Sequence, residues 1–126
     1  MRGLRLFIRP IEPSDHTAVC AFLDTQAAPA AGATPPAWGL LGKLLGDIVA
    51  VVSLEITDDA LRIDDMLVAR ELRRKWIGRV MMREVEQLAA KMDRRRVVVN
   101  DARGAQEFFR RVGFESEGES WVRVVS

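Results

Sequence analysis

Residues 61–87 read LRIDDMLVARELRRKWIGRVMMREVEQ and combine two kinds of hydrophobic periodicity. The first part is apolar at Leu61, Ile63 and residues 66–68, a run short enough for a strand. The second part, continued to residue 92, repeats apolar residues at spacings of three and four, which is typical of one helix face: Ile77, Val80, Met81, Val85, Leu88 and Met92. The stretch therefore predicts a strand that leads into a helix, and the rest of the chain is interpreted around this pair.

A basic turn joins the predicted strand to the predicted helix. Arg73, Arg74 and Lys75 precede the helix, and Gly78 lies in its first turn. Backbone N–H groups at a helix N-terminus point outward together, and the helix dipole adds partial positive charge there. The turn is therefore a candidate phosphate site. The alternative is an ordinary helix N-terminus that happens to follow a basic surface turn.

Two motifs in this sequence resemble those of the GNAT N-acetyltransferases. The segment IDDMLVARELRRKWIG is similar to the family's signature, in which an apolar strand ending in Val precedes Arg-x-x-Gly-x-Gly. Val68 ends the strand, Arg73 opens the motif and Gly78 closes it, whereas Trp76 replaces the first glycine. The segment AQEFFRRVGF at residues 105–114 resembles the family's Ala-x-x-Phe-Tyr-x-x-x-Gly-Phe, with Phe109 at the usual Tyr position.

The resemblance implies an α/β acyl-CoA N-acyltransferase fold, a central mixed β-sheet flanked by helices, with residues 1–126 as one domain. It implies acetyl-CoA as acyl donor, no metal, and direct transfer to a primary amine of a small molecule or amino-acid-like acceptor. The main chain of Met66, Leu67 and Val68 would pair with the pantetheine arm. The remaining cofactor-binding residues that the resemblance implies are Arg73, Arg74, Lys75, Trp76, Ile77, Gly78, Arg79 and Phe109.

Acetyl transfer to an amine needs a group that accepts the amine proton, and Asp64 and Asp65 are the candidates. Side chains alternate faces along a strand, so only one of the two carboxylates is expected to face the cleft. The resemblance favours Asp64, since many family members have an acidic residue at that position. The alternative for Asp64 is an exposed carboxylate at a strand edge. The family's usual general acid is Tyr, but this sequence contains no Tyr, so solvent would protonate the leaving thiolate.

Trp76 leaves two interpretations open. Glycine in such a loop lets backbone N–H groups approach phosphate oxygens closely, which a Cβ and an indole can prevent. The indole therefore either points outward and covers the adenine or the pantetheine, or it occludes the site. The sequence also leaves open a rival function, a catalytically weak or inactive GNAT-like protein that acts as a CoA-sensing or partner-binding regulator.

Composition excludes several other classes of protein. The chain has 126 residues, a net charge of +1 and one cysteine. No apolar run approaches the roughly 20 residues that span a bilayer, and the near-neutral charge gives no support for nucleic-acid binding. A single cysteine excludes an internal disulfide and fits a reducing cytoplasm. We therefore expect a cytoplasmic protein that binds neither nucleic acid nor membrane, with a homodimer left open.

The remaining elements follow from local patterns. Alternation from Leu4 to Ile8 predicts a first strand, and Ser14 or Asp15 would cap a helix after it. Residues 27–37 are rich in Ala, Pro and Gly and are interpreted as a connection. Residues 38–45, 48–56 and 96–100 are predicted strands, and the last of these would be buried on both faces. Asp101 would cap a helix that ends at Gly113 in the left-handed conformation, and residues 114–125 would form one or two final strands.

His16 and Cys20 are two further residues whose side chains can carry chemistry. His16, in the first turn of the first helix, is interpreted mainly as a surface residue. Cys20 is interpreted as a small core residue rather than a nucleophile, on the argument that it has no basic partner nearby in sequence.

Overall fold

A computed structural model describes residues 6–26, 38–72, 76–100 and 106–125. Seven strands and three α-helices are defined in those ranges. In chain order they are β1 (Leu6–Pro10), α1 (His16–Gln26), β2 (Gly39–Leu44), β3 (Asp47–Ile56), β4 (Ala60–Val68), α2 (Ile77–Lys91), β5 (Arg96–Val99), α3 (Gln106–Arg111), β6 (Glu115–Glu117) and β7 (Ser120–Val124). Among the predicted features, Leu4, the connection at residues 27–37 and the cap at Asp101 lie outside the described residues.

The strands form one sheet in the order β1-β2-β3-β4-β5-β7-β6. β1 to β4 pair antiparallel in succession, β4 and β5 pair parallel, and the last two pairings are antiparallel. The β-branched run in β3 lies in the middle of this sheet, where Ala50 and Val52 are fully buried. The predicted antiparallel strands followed by a parallel crossover are confirmed, as is the mixed α/β class.

Helix α2 packs on one face of the sheet. Met81 and Val85 are fully buried there, and a Cβ at Gly42 of β2 would lie 3.0 Å from the Met81 Sδ. The same Cβ would lie 3.3 Å from Leu6, so Leu6 of β1 shares this face. The predicted stripe on α2 is largely confirmed, although Met82 and Ala89 are buried whereas Val80 and Leu88 are only half-buried.

Helix α1 lies on the opposite face and is anchored to β1 by a buried carboxylate. Arg9 points away from the face of Leu6 because side chains alternate along a strand. Its guanidinium donates to both carboxylate oxygens of Asp15, at 2.7 and 2.6 Å, and the Glu12 N–H donates to the same carboxylate at 2.7 Å. These hydrogen bonds, chiefly those from Arg9, hold the pKa of Asp15 well below its usual range. Asp15 therefore closes a 3-10 turn over Pro13–Asp15 that precedes α1.

The C-terminal part agrees with the predicted turns but corrects one burial prediction. Gly113 follows α3 with a φ of +101°, and Gly118 lies between β6 and β7 with a φ of +66°. β5 is not buried on both faces: Val97 and Val99 are buried, whereas Val98 between them is half-buried. Three consecutive valines do not show this difference, because the sequence is the same whether one face of the strand or both faces are covered. In the described residues no helix is long and apolar enough to cross a membrane.

Candidate active site

The parallel pair β4 and β5 separates toward one end. Their pairing begins at Ala60 with Arg96 and ends at Ile63 with Val99, which is the last residue of β5. β4 continues for five more residues, to Val68, still paired with β3 on its other side. At roughly 3.3 Å per residue this leaves about 16 Å of β4 without β5 beside it. We refer to this opening along residues 64–68 as the β4 gap.

Main-chain groups of β4 point into the β4 gap. The Ala69 N–H donates to the Val49 carbonyl on β3 at 2.7 Å. Because successive residues of a strand direct their N–H and C=O groups to opposite sides, those of Met66 point away from β3. The Met66 N–H donates to Asp65 Oδ1 at 2.9 Å. The Asp65 carboxylate thus accepts from the same Met66 N–H that an extended ligand entering the β4 gap would use as a donor.

A β-bulge at Asp64 changes the expected directions of the two carboxylates. Ser53 of β3 is opposite Asp65 and Leu54 is opposite Ile63, so Asp64 is an extra residue without a partner on β3. Such a bulge shifts the alternation of side chains. Asp65 lies opposite Ser53, so the two side chains lie on the same face of the sheet. Glu55, two residues after Ser53, and its partner Arg62 also lie on this face.

Asp64 lies on that same face, because its side chain contacts Arg62. The Arg62 Nε donates to Asp64 Oδ1 at 2.8 Å. The expectation that Asp64 and Asp65 face opposite sides is therefore wrong. The physical reason is the extra residue in β4, which depends on the pairing with β3 and leaves no local pattern in the sequence.

Arg62 holds Asp64 in an ionic cluster with Glu55. The guanidinium lies 2.8 Å from Asp64 and 2.9 Å from Glu55. Its pKa is raised, first by the hydrogen bond to Asp64, so the guanidinium stays charged. The Asp64 side chain is 39% exposed. Within the described ranges only its Oδ1 has a partner.

The start of α2 accommodates Trp76 without backbone strain. Trp76 has φ −76° and ψ −9°, a right-handed helical conformation that any residue adopts, and its carbonyl accepts the Val80 N–H at 3.1 Å. Trp76 is 44% exposed, and its own side chain makes no capping hydrogen bond. The three basic residues Arg73, Arg74 and Lys75 lie outside the described residues.

Gly78 and Ile77, at the start of α2, both contribute to packing. A Cβ at Gly78 would lie 3.1 and 3.2 Å from two ring carbons of Phe108, so the missing side chain lets α3 approach α2 closely. The side chain of Ile77 is fully buried. Only the backbone of these two residues is therefore placed to meet a ligand, whereas the side chain of Arg79 is exposed.

Phe109 lies in the core behind the site. It is buried, and its ring makes edge contacts with Phe108 and Phe114, each at a centroid distance of 5.2 Å. Two aromatic edge contacts and burial fix the ring in place. Phe109 has no proton to give, so the position that carries Tyr in the resembled motif supplies packing here.

One pair of residues was misjudged from the sequence. Cys20 Sγ lies 3.6 Å from His16 Nε2, one helical turn apart on α1, and Cys20 is half-buried rather than a core residue. The spacing of four residues on a helix places two side chains side by side, which was the available signal. Cys20 therefore does have a nearby basic residue, His16, contrary to the expectation from the sequence.

The sheet, the β4 gap and the helix that follows define the architecture of an acyl-CoA-dependent acyltransferase, as the resemblance implied. The family model described as "Acetyltransferase (GNAT) domain" matches residues 43–123, more than half of the chain. The chain therefore belongs to the GNAT family and to the class of N-acetyltransferases.

Solved structures with low sequence identity share the fold. A GNAT acetyltransferase from Brucella melitensis in complex with acetyl-CoA has a TM-score of 0.76 at 14% identity, covering 98% of this chain and 90% of its own. The ribosomal-protein-S18-alanine N-acetyltransferase of Escherichia coli has a TM-score of 0.76 at 13% identity, with coverages of 97% and 95%. A second GNAT N-acetyltransferase from Escherichia coli, in complex with CoA, has a TM-score of 0.73 at 16% identity, with coverages of 100% and 84%. A search of curated protein sequences finds no match to this chain.

Proposed function

We propose that this protein transfers the acetyl group of acetyl-CoA directly to the primary amine of a small-molecule or amino-acid-like acceptor. The observation that carries the proposal is the β4 gap, where the Met66 main chain points away from β3 and β5 has ended. A pantetheine arm contains amide groups and can pair with the edge of β4 at Met66 as another strand would. The structures with bound acetyl-CoA and CoA belong to the same fold and support this assignment.

The β4 gap and the start of α2 would hold opposite ends of acetyl-CoA. Met66, Leu67 and Val68 would accompany the pantetheine arm, and the backbone N–H groups of residues 76–79 would face the pyrophosphate. Arg73, Arg74 and Lys75 remain predicted phosphate contacts. Trp76, with a large exposed indole, is assigned to the rim of this site.

Asp64 would receive the acceptor on the exposed side of β4. Its Oδ2, which does not contact Arg62, would bind the acceptor as an ammonium ion and take up a proton, directly or through water. The neutral amine nitrogen then attacks the thioester carbonyl carbon, and a C–N bond forms. The nitrogen, now positively charged, loses its second proton to water, and the C–S bond breaks to leave the amide. The sulfur leaves as a thiolate that solvent protonates. Arg62 keeps Asp64 in place but takes no part in the transfer.

The experiment that tests the proposal measures binding and turnover separately. Acetyl-CoA at about a hundred times its Kd should add roughly 2.7 kcal/mol to the free energy of unfolding, which thermal denaturation detects. A thiol-release assay over a panel of primary amines should then detect turnover. Binding without turnover on any amine would favour the rival function, a CoA-sensing or partner-binding regulator. No binding would overturn the assignment of the β4 gap. A cytoplasmic location and a homodimer stay predictions.

A further inference from the structure

A second feature of α2 lies one turn beyond the proposed pyrophosphate end. A pocket of about 220 Å³ opens between α2, the end of α3 and β7. Among the described residues that line it, four are arginines, Arg79, Arg83, Arg111 and Arg123, and one is acidic, Glu86. Met82 and Val112 supply its apolar surface. We call this the arginine pocket.

The arginine pocket concentrates positive charge that the chain as a whole does not have. Glu86 accepts from the Arg123 Nε at 3.0 Å, so its carboxylate is already paired. Within the part of the chain that the structure describes, Arg79, Arg83 and Arg111 have no acidic partner. Three unpaired guanidinium groups thus line one concave site in a protein of net charge +1.

The backbone gives Arg123 its position. A Cβ at Gly113 would lie 1.7 Å from Arg123 Nη1, and Gly113 has a φ of +101° that disfavours other residues. The side chain therefore lies across a position where only glycine leaves room, and Glu86 holds its other side. The pocket therefore lies between three elements of the fold, α2, the end of α3 and β7.

We infer that the arginine pocket binds a phosphate-monoester dianion, and that in the acetyl-CoA complex this is the 3′-phosphate of the same CoA. The guanidinium fork matches phosphate oxygens in pairs. The volume lies below the usual range for drug-sized ligands and suits a phosphate group. This inference rests on the proposed function: the 3′-phosphate and the pyrophosphate are attached to one ribose. Arg79 and Arg83 lie four residues apart, about 6 Å along α2, so the arginine pocket extends along the helix from the turn that would meet the pyrophosphate.

Isothermal titration with CoA and with dephospho-CoA, which lacks only the 3′-phosphate, tests the inference. Wild type should bind CoA about tenfold more tightly than dephospho-CoA. Arg83→Gln and Arg111→Gln should each remove most of this preference by weakening CoA and leaving dephospho-CoA unchanged. Arg110→Gln is the matched control, because Arg110 lies on α3 but pairs with Glu107 outside the pocket. The ratio of the Kd values for dephospho-CoA and CoA should be the same in Arg110→Gln as in wild type.

A second arm uses inorganic phosphate as the probe and separates the two sources of the dianion. If the CoA preference is absent but phosphate raises the Tm of wild type and not of Arg83→Gln, the pocket binds a free phosphate monoester. If the preference is absent and phosphate gives no such difference, the inference is overturned while binding of acetyl-CoA stands. If neither nucleotide binds, the proposed function fails, and the phosphate arm alone decides the pocket.

Discussion

The residue with the most direct chemical consequence is Asp64, the extra residue of the bulge in β4. Asp64→Asn removes the group that would take the amine proton while keeping the shape of the side chain. We expect the kcat to fall by a factor of about 10² to 10⁴, the usual range for a positioned acid or base. The Kd for CoA should change less than twofold. Steady-state kinetics with an amine that wild type acetylates, together with calorimetry, separates the two effects.

A comparison with Glu55→Gln controls for loss of the ionic cluster around Arg62. Glu55 contacts the same guanidinium but is not proposed to meet the acceptor. If Glu55→Gln lowers kcat as much as Asp64→Asn does, the effect comes from Arg62 and the role of Asp64 as base is wrong.

Asp65 has a different expected effect, because its carboxylate accepts the Met66 N–H that points into the β4 gap. Asp65→Ala removes this acceptor and exposes the N–H to an incoming pantetheine amide. We expect CoA to bind about two- to fivefold more tightly, since one hydrogen bond contributes about 0.5–1.5 kcal/mol. Calorimetry measures the change. Weaker binding would mean that Asp65 helps to hold the ligand rather than competing with it.

At the scale of elements, the start of α2 decides how Trp76 acts. Its φ of −76° does not require glycine, so only the bulk of the indole can hinder a phosphate. Trp76→Gly and Trp76→Ala should therefore tighten CoA binding by similar factors of about two to ten, with a small loss of stability. If only the glycine variant binds more tightly, backbone freedom matters instead. If binding collapses in both variants while the protein stays folded, the indole is a ligand contact.

The packing of α2 on the sheet is the main tertiary contact around the site. Met81 is fully buried against Gly42 and Leu6. Met81→Ala should lower the free energy of unfolding by about 2–5 kcal/mol, because it removes buried methylene groups and leaves a cavity. Met92→Ala is the matched control at the half-buried end of the same helix and should cost less than about 1 kcal/mol. Urea denaturation measures both, and equal losses would contradict this account of the core.

At the scale of the whole molecule, the ion pair between Arg9 and Asp15 ties the edge strand β1 to helix α1. The pKa of Asp15 is lower in the folded protein than in the unfolded chain, where it is about 3.9. The pair therefore stabilises the fold above about pH 4, and this contribution is lost as the pH falls further toward the depressed folded value. Asp15→Asn should lower the Tm at pH 7, and its difference from wild type should shrink below pH 4.

The control for this pH dependence is Glu107→Gln, since Glu107 is an exposed carboxylate paired with Arg110 on the surface of α3. Exposed pairs contribute little, so its Tm should stay near that of wild type at every pH. A difference between Asp15→Asn and wild type that stays constant from pH 7 to pH 2 would mean that the ion pair is not its source.

The element order and the family were accessible from the sequence because they depend on local patterns. Period-two and period-3.6 hydrophobicity predicts β4 and α2, β-branched residues predict β3, and Gly113 marks the end of α3. The two motifs around Val68 and Phe108 then suffice to recognise the GNAT family. Each of these signals lies within about 30 consecutive residues, so no distant contact is needed to interpret it.

The tertiary structure alone decided the features on which the site chemistry depends. The bulge at Asp64 exists because Ser53 and Leu54 of β3 pair on either side of it, so both carboxylates share a face against the local rule. Gly78 makes room for Phe108, a residue 30 positions away. The arginine pocket joins α2, α3 and β7. The bulge depends on how β4 pairs with β3, and the approach of α3 to α2 depends on contacts between separate elements. Hydrophobic periodicity within one element does not show where a bulge or a helix contact lies.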